Sequence, residues 1–475
     1  MRIARELGGV ISGEHGIGLT KLEFLQPEII QQFVAYKDEV DPLGHFNRGK
    51  LMPDADLRNA YTPSFSLLET ESLIMEQSAI GDIADMIKDC LRCGKCKPVC
   101  STHVPRASLL YSPRNKILAT SLLIEAFLYE EQTRRGVSLR HFDEFADLGE
   151  HCTVCHRCLK PCPVDIDFGD VSIAMRNFLR EQGKKKFNLG SAASMAFLGV
   201  TDPGAIKTLR KGMIEWGYRS QRVAHKAARG LGLLRAVEPP PATVGRPALK
   251  EELIHWLAKP MPPGLPSKTA RALLDIEDKT RIPVLKNPAR NGEDADAVFY
   301  FPGCGSERLF SQVGLATLAM LFDAGATTVL PPGYVCCGYP QTAAGHEDKG
   351  QAIITANRVL FHRVANTLNY LDIKTVIVSC GTCMDQLLYY QFDKIFPGCR
   401  LLDIHEYLME KGYQLDAPQG QHYLYHDPCH TPMKTYTPIK VVNQLMGGYV
   451  TPNDGCCGEA GTFALARPDI ATHVR

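Results

Sequence analysis

Two runs of cysteine at fixed intervals constrain this chain more than any other feature. Cys90, Cys93, Cys96 and Cys100 form Cys-x2-Cys-x2-Cys-x3-Cys, and Cys152, Cys155, Cys158 and Cys162 repeat those intervals and end on Pro163. Three thiolates spaced three residues apart can wrap three corners of an iron-sulfur cubane, while the fourth, displaced by one more residue, reaches toward a neighbouring cluster. Neither run easily closes its own cube. The spacing therefore assigns Cys90, Cys93, Cys96 and Cys162 to one [4Fe-4S] cluster and Cys152, Cys155, Cys158 and Cys100 to another. Zinc would need Cys-x2-Cys pairs set apart to make a tetrahedron, which leaves these eight positions overdetermined.

The chain has 17 cysteines in 475 residues. Residues 1 to 20 lack the apolar core of an export signal, and no stretch reaches the roughly 20 apolar residues that cross a bilayer. The expected location is the cytoplasm, where thiols stay reduced and ordered cysteines mean metal rather than disulfides. A net charge of +1 with 45% hydrophobic residues suits a soluble globular protein and lacks the basic excess of a nucleic-acid binder. The length calls for two to four domains, because single cores stop growing sooner.

Four segments are expected. Residues 1–60 hold the Gly-rich stretch Gly8 to Gly18, a helix-like run from Pro27 to about Val40, and the turn Asp41-Pro42. Residues 78–183 hold both cysteine runs, separated by a helix over Asn115 to Arg135 whose Ile117, Leu118, Leu122, Ile124 and Leu128 can supply a buried face. Residues 184–295 form a helical linker with one clear helix, capped by Asp202 with Pro203 at its first position. Ile206, Leu209, Met213, Trp216, Val223, Ala227, Leu231 and Leu234 recur at helical spacing there, and Lys207, Arg210, Lys211, Arg219, Arg222, Lys226 and Arg229 occupy the other faces. Such a helix can lie on an anionic membrane, dock on an acidic partner, or simply be solvated. From residue 296 short apolar strands alternate with helices, predicting an α/β sheet with parallel strands.

Ligands of such sheets gather beyond the carboxyl ends of the strands. Cys304, Cys336, Cys380 and Cys429 each follow an expected strand, where a shared crevice should be; Cys304, Cys336-Cys337-Gly338 and Cys380-x2-Cys383 make one pattern, which Cys429 and Cys456-Cys457-Gly458 repeat in part. The second copy would need its Cys-x2-Cys beyond Arg475, so the chain is expected to stop inside its second repeat. Adjacent cysteines can bridge different irons of a larger cluster, or divide between a ligand and a reactive thiol. A structural zinc or a plain [4Fe-4S] cluster is a rival occupant of either set. Cys399 fits no motif and is expected in the core, and His426 and His430 are expected as hydrogen-bonded loop histidines.

The two runs resemble the two-cluster ferredoxins, with Ser101 where the first run would have proline. Their long separation is similar to the α-helical ferredoxin domains found in the glycolate oxidase iron-sulfur subunit, in anaerobic glycerol-3-phosphate dehydrogenase and in heterodisulfide reductase. That resemblance implies a single-electron relay. The later cysteines resemble the cysteine-rich (CCG) domain of heterodisulfide reductase, shared with lactate-utilisation and glycolate oxidase iron-sulfur subunits. It implies that Cys304, Cys336, Cys337, Cys380 and Cys383 hold an additional cluster, and that Cys429, Cys456 and Cys457 are an incomplete second set.

Ser12-Gly13-Glu14-His15-Gly16-Ile17-Gly18 and Asp41 to Lys50 resemble the carboxyl end of the flavin-linked oxidases of D-lactate, glycolate and D-2-hydroxyglutarate. The resemblance implies His15 as catalytic base, Glu14 as ligand of a divalent metal that holds substrate, and Asn47 beside the flavin. Arg48 stands where that family usually has proline. The fold implied is multidomain: the tail of a flavin-linked oxidase cap domain, an α-helical dicluster ferredoxin domain, then an α/β cysteine-rich domain. FAD is expected only in a full-length protein, of which this chain would be a fragment; a stand-alone electron-transfer subunit is the alternative. The implied reaction takes a small D-2-hydroxy acid, D-lactate first and glycolate second, and delivers electrons to a quinone or cytochrome. A heterodisulfide-reductase-like thiol-disulfide reductase is the further rival.

Overall fold

Ser78 starts the first packed helix: its Oγ accepts the Gly81 N–H at 3.1 Å and opens Ala79–Ile87. The computed structural model describes residues 3, 6–9, 22–46, 52–53, 78–103, 111–132, 139–234, 237–240, 246–290, 292, 295–415, 421–453, 455–461 and 463–474. Ahead of this helix, Pro27–Val40 is helical as the sequence implied, and no side chain in it is buried.

Ala79–Ile87, Pro113–Gln132, Leu139–Glu150 and Phe168–Glu181 enclose one apolar core. Phe127, Phe142, Phe145 and Phe178 pack ring against ring in it, with centroids 5.1 to 6.5 Å apart. The buried face of Pro113–Gln132 differs from expectation. Ile117 and Ile124 are buried in agreement with it, but Leu122 is 52% exposed, and Leu123 and Phe127 take the inner positions with Lys116 and Thr120. The side chain of Leu128 lies outside the described residues.

The helix capped by Asp202, whose carboxylate accepts the Ala205 N–H at 2.8 Å, runs as Pro203–Arg210, a π-helical Lys211–Gly217 and Tyr218–Gly230. Its expected apolar stripe divides. Ile206, Ile214 and Ala228 face inward, whereas Trp216, Val223 and Leu231 are 67%, 62% and 76% exposed among the basic side chains. The extra residue per turn in the π segment rotates the later positions away from a uniform 3.6-residue stripe.

The last module is built on a five-stranded sheet, in order β1 (Val284–Leu285), β3 (Thr327–Val329), β2 (Ala297–Phe301), β4 (Ile373–Val378) and β5 (Arg400–Asp403). All pairs are parallel except β1 with β3. Alternation along each strand feeds two cores: Phe299, Phe301, Val376 and Val378 meet the helix Glu347–Thr367, and Val298, Tyr300 and Ile377 meet Ser311–Asp323 and Ile404–Glu410. The short strands β1 and β5 form the two edges of this sheet.

The internal repeat has a structural counterpart. β6 (Tyr423–His426) and β7 (Val450–Asn453) pair in parallel across the helix Pro438–Met446, as β2 and β3 do across Ser311–Asp323. They form a separate two-stranded sheet rather than extending the first. The helices Phe463–Ala466 and Pro468–Val474 return to the helical module, where fully buried Arg467 donates to Asp147 at 2.7 Å and to Asp469 at 2.8 Å.

The modules meet along Phe168–Glu181. Arg176 donates to the carbonyls of Cys152, Gly149 and Ala343 at 2.7, 2.9 and 2.6 Å, so one guanidinium ties the second cysteine run to the sheet module. Arg180 adds the Gly345 carbonyl at 2.8 Å. Gly345 sits at φ 80°, and a Cβ there would fall 2.6 Å from Arg176, which is why only glycine fits this seam.

Candidate metal centres and their surroundings

Each cysteine run wraps by left-handed turns. Arg92, Val154, His156 and Asp165 have φ between 52° and 55°, a conformation costly for residues with a Cβ and most of all for branched Val154. The turns direct backbone hydrogens at sulfur: Val154 N–H lies 3.4 Å from Cys152 Sγ and Ile166 N–H 3.3 Å from Cys162 Sγ. Strain is accepted where it preorganises thiolate ligands.

The runs interleave. Cys90, Cys93 and Cys96 line one cavity together with Cys162 of the other run, closed by Ile117, Ile166 and Phe168. Cys90 senses the charge of Cys162 directly. Cys100, in turn, lies near Cys152 and Cys155, with the Lys116 ammonium close by. Lys116 is 1% exposed and donates to the His151 carbonyl at 3.0 Å. Burial pushes the Cys90, Cys96 and Cys100 thiols up. Holding them as thiolates needs nearby positive charge, which iron would supply and Lys116 would assist. The donor sets thus suit two sulfur-ligated clusters. Lys116 is illegible in the sequence because nothing local marks a lysine in a helix as buried.

Cys304, Cys336, Cys337, Cys380 and Cys383 converge beyond the carboxyl ends of β2, β3 and β4. Cys336 Sγ lies 3.8 Å from Cys304 Sγ, Cys337 meets both Cys336 and Cys383, and Cys383 meets Cys380. Four of the five are buried and Cys380 is half-buried. A Cβ on Gly303 would lie 2.6 Å from Cys383 Sγ, so the Pro-Gly-Cys turn needs glycine to let the thiols close. The hydrogen bond from Cys383 holds the Cys380 thiol down at about 7. Five thiols in one apolar pocket match a multinuclear sulfur site better than a lone tetrahedral ion, which has no use for a fifth.

Cys429, expected in that crevice, instead has its thiol contacts with Cys456 and Cys155. Because β6 and β7 form their own sheet, these thiols come to rest against the helical module. Cys429 contacts both Cys456 and Cys155, and Cys456 also reaches Ser101. The Cys429 contact lowers Cys155 to about 5. Cys457 is exposed and the other two are half-buried. Cys399 is also half-buried, against the sheet core, where burial pushes its thiol up to about 11.

At the amino terminus, Asp41 accepts from Lys37 Nζ at 2.8 Å and from the His45 and Phe46 N–H groups at 2.8 and 3.0 Å. The Lys37 ammonium holds its carboxyl down at about 2. This knot fixes the turn that leads to Asn47. Glu14, His15 and Asn47 themselves lie outside the described residues.

Known families match each of these parts. Residues 86–166 match the 4Fe-4S dicluster domain, residues 298–388 and 423–474 the cysteine-rich domain, and residues 1–51 the C-terminal domain of FAD linked oxidases. The chain is therefore multidomain, combining a dicluster domain and a cysteine-rich domain with a segment of the flavin-oxidase C-terminal domain at its amino end. It is 22% identical over 411 residues to the probable glycolate oxidase iron-sulfur subunit of Bacillus subtilis, covering 81% of this chain and 82% of that one. It is 25% identical over 418 residues to the glycolate oxidase iron-sulfur subunit of Escherichia coli, covering 84% and 86%. A subunit of the fumarate reductase (CoM/CoB) of Methanothermobacter marburgensis is 24% identical over 353 residues, covering 72% of this chain and 66% of its own. No solved structure matches. Among the described residues, no helix is long and apolar enough to cross a membrane.

Proposed function

We propose that this chain is the electron-transfer portion of a flavin-dependent D-2-hydroxy-acid dehydrogenase, with D-lactate the preferred substrate and glycolate the second. Cys90, Cys93, Cys96 and Cys162 would hold one [4Fe-4S] cluster, Cys152, Cys155, Cys158 and Cys100 the other, and the five-thiol set a further iron-sulfur cluster. Such clusters, when bound, supply single-electron storage. In the full-length protein His15 would take the hydroxyl proton, Glu14 would ligate a substrate-holding metal, and Asn47 would lie beside FAD.

The observation that carries the reading is the contact of Cys155 with Cys429. It joins the ligand shell of the dicluster module to a thiol of the cysteine-rich module. The test is anaerobic stopped-flow on the full-length protein. D-lactate should bleach flavin first and iron-sulfur absorbance afterwards. In a Cys155→Ala variant, flavin should still be reduced while the cysteine-rich site stays oxidised. Bleaching of both in that variant would remove the dicluster module from the route, and disulfide reduction without flavin would favour the thiol-disulfide reductase.

A quinone acceptor would place the protein at a membrane surface. The outer face of residues 203–234 suits one, since exposed Trp216, Val223 and Leu231 lie among Lys207, Lys211, Arg219, Lys226 and Arg229. Vesicles containing about a third phosphatidylserine should co-sediment the protein in low salt, at roughly 1 kcal/mol per basic residue near the surface. Neutral phosphatidylcholine vesicles should not. Equal binding to both, or to neither, would leave a cytochrome as the acceptor.

A further inference from the structure

One phenol touches the segments that carry all three inner thiol sets. Tyr339 follows Cys337-Gly338, and its hydroxyl lies 3.2 Å from His156 Nε2, 3.2 Å from His430 Nε2 and 3.5 Å from the Val154 carbonyl. Val154 and His156 flank Cys155, and His430 adjoins Cys429. A carboxylate holds each imidazole from its far side: Asp167 Oδ2 is 2.7 Å from His156 Nδ1, and Asp385 Oδ2 is 2.5 Å from His430 Nδ1. Lys434 Nζ lies 2.7 Å from the other oxygen of Asp385. Asp170 stands 3.7 Å from His156 Nδ1. The line Asp167, His156, Tyr339, His430, Asp385 therefore runs unbroken from one module to the other.

One end of the line reaches cysteine and the other lies close to one in sequence. Asp167 Oδ1 lies 3.7 Å from Cys158 Sγ while capping Phe168–Glu181 through the Gly169 N–H, and Asp385 sits two residues beyond Cys383. The seating is tight. A Cβ on Gly381, inside the Cys380-x2-Cys383 turn, would fall 1.5 Å from the His430 carbonyl oxygen, and one on Gly169 would fall 2.8 Å from His156 Nδ1. The three rings pack edge to face, Tyr339 to His430 at 5.1 Å and His156 to His430 at 5.3 Å.

The Val154 carbonyl can only accept, and it lies 3.1 Å from His430 Nε2 and 3.5 Å from the phenol oxygen, so it can take a hydrogen from either. One oxygen atom thus bridges an imidazole of the cysteine-rich side and an imidazole of the dicluster side.

We propose that Tyr339 is the positioning residue for electron passage between the modules, its hydroxyl fixing the segments of Cys155, Cys337, Cys383 and Cys429 at one separation. This rests on the electron-transfer reading above. Phenylalanine keeps the ring and removes only the oxygen, leaving His156 Nε2 short of its partner while His430 Nε2 keeps only the Val154 carbonyl. Electron passage falls steeply with the separation of the centres, so loosening the tie that sets this separation should slow it.

The experiment compares wild type with Tyr339→Phe, Asp385→Asn and the double variant, all in the cluster-loaded protein. Rapid-freeze electron paramagnetic resonance follows electrons from the photoreduced dicluster module into the cysteine-rich module. Tyr339→Phe should retain its iron and slow this redistribution severalfold, with altered spin coupling between the modules. The two substitutions should be non-additive, because they break one line. Hydrogen exchange on the metal-free protein gives a second measurement, with faster exchange expected at residues 151–157 and 429–434 and no change at 121–127. Wild-type redistribution with an unchanged rate in Tyr339→Phe, or strictly additive effects, overturns the proposal. Absence of redistribution in wild type overturns the electron-transfer reading instead, and unaltered hydrogen exchange then removes the positioning role as well.

Discussion

Cys162→Ala should lose about four of the roughly eight irons held by the two cysteine runs, and the loss should fall on the cluster anchored by Cys90, Cys93 and Cys96. Cys162 belongs by sequence to the second run, yet it lines the cavity of the first, beside Ile117, Ile166 and Phe168. Alanine removes both a ligand and the acceptor of the Ile166 N–H, so the cavity wall loosens as the cluster loses its fourth corner. The set of Cys100, Cys152, Cys155 and Cys158 keeps all four thiols and should keep its signal. Iron and sulfide analysis with electron paramagnetic resonance on anaerobic protein decides the matter. If the surviving signal is the one from Cys90, Cys93 and Cys96, each run closes its own cube and the crossed assignment fails.

Arg467→Ala should be the most destabilising single change outside the cysteines. Its guanidinium is fully buried between Asp147 and Asp469, and Asp147 also accepts from Tyr111 at 3.1 Å. Truncation strands two carboxylates in the interior, a loss of about 3 to 5 kcal/mol. Arg246, which pairs with Glu150 nearby but is 27% exposed, should cost only about 1 kcal/mol or less when changed to alanine. Hydrogen exchange over Leu139–Glu150 in the full chain provides the comparison, and Arg467→Ala should accelerate it about a hundredfold or more, each factor of ten being about 1.4 kcal/mol. Equal acceleration by the two variants would mean that the carboxyl-terminal helices do not brace the helical module.

Local pattern made several parts of this molecule legible. Asp202 caps its helix and Pro203 occupies the first turn because both act within four residues of themselves. The strands Ala297–Phe301 and Ile373–Val378 stand out because a strand buried on both faces is a run of apolar residues. Cysteine intervals carried the most, since a cluster edge and the reach of three residues have matching lengths. The failures have physical reasons too. Trp216 and Val223 look like core on a helical wheel, but a π-helical turn shifts the wheel beneath them. Leu123 takes the inward place that the pattern offers to Leu122, since adjacent leucines leave the face ambiguous by one position.

What the sequence alone determined was which thiols belong to which motif, because ligand spacing is a property of a few consecutive residues. Only the tertiary structure decided which motifs face one another. Cys429 meets Cys155, His156 and His430 share the phenol of Tyr339, and Lys116 is buried beside Cys100. These partners are separated by up to hundreds of positions in the chain, and no local periodicity encodes them. The contacts of Cys429 and His430 follow from how a separate two-stranded βαβ unit packs against the helical module, and that of Lys116 from how the helices enclose their own core.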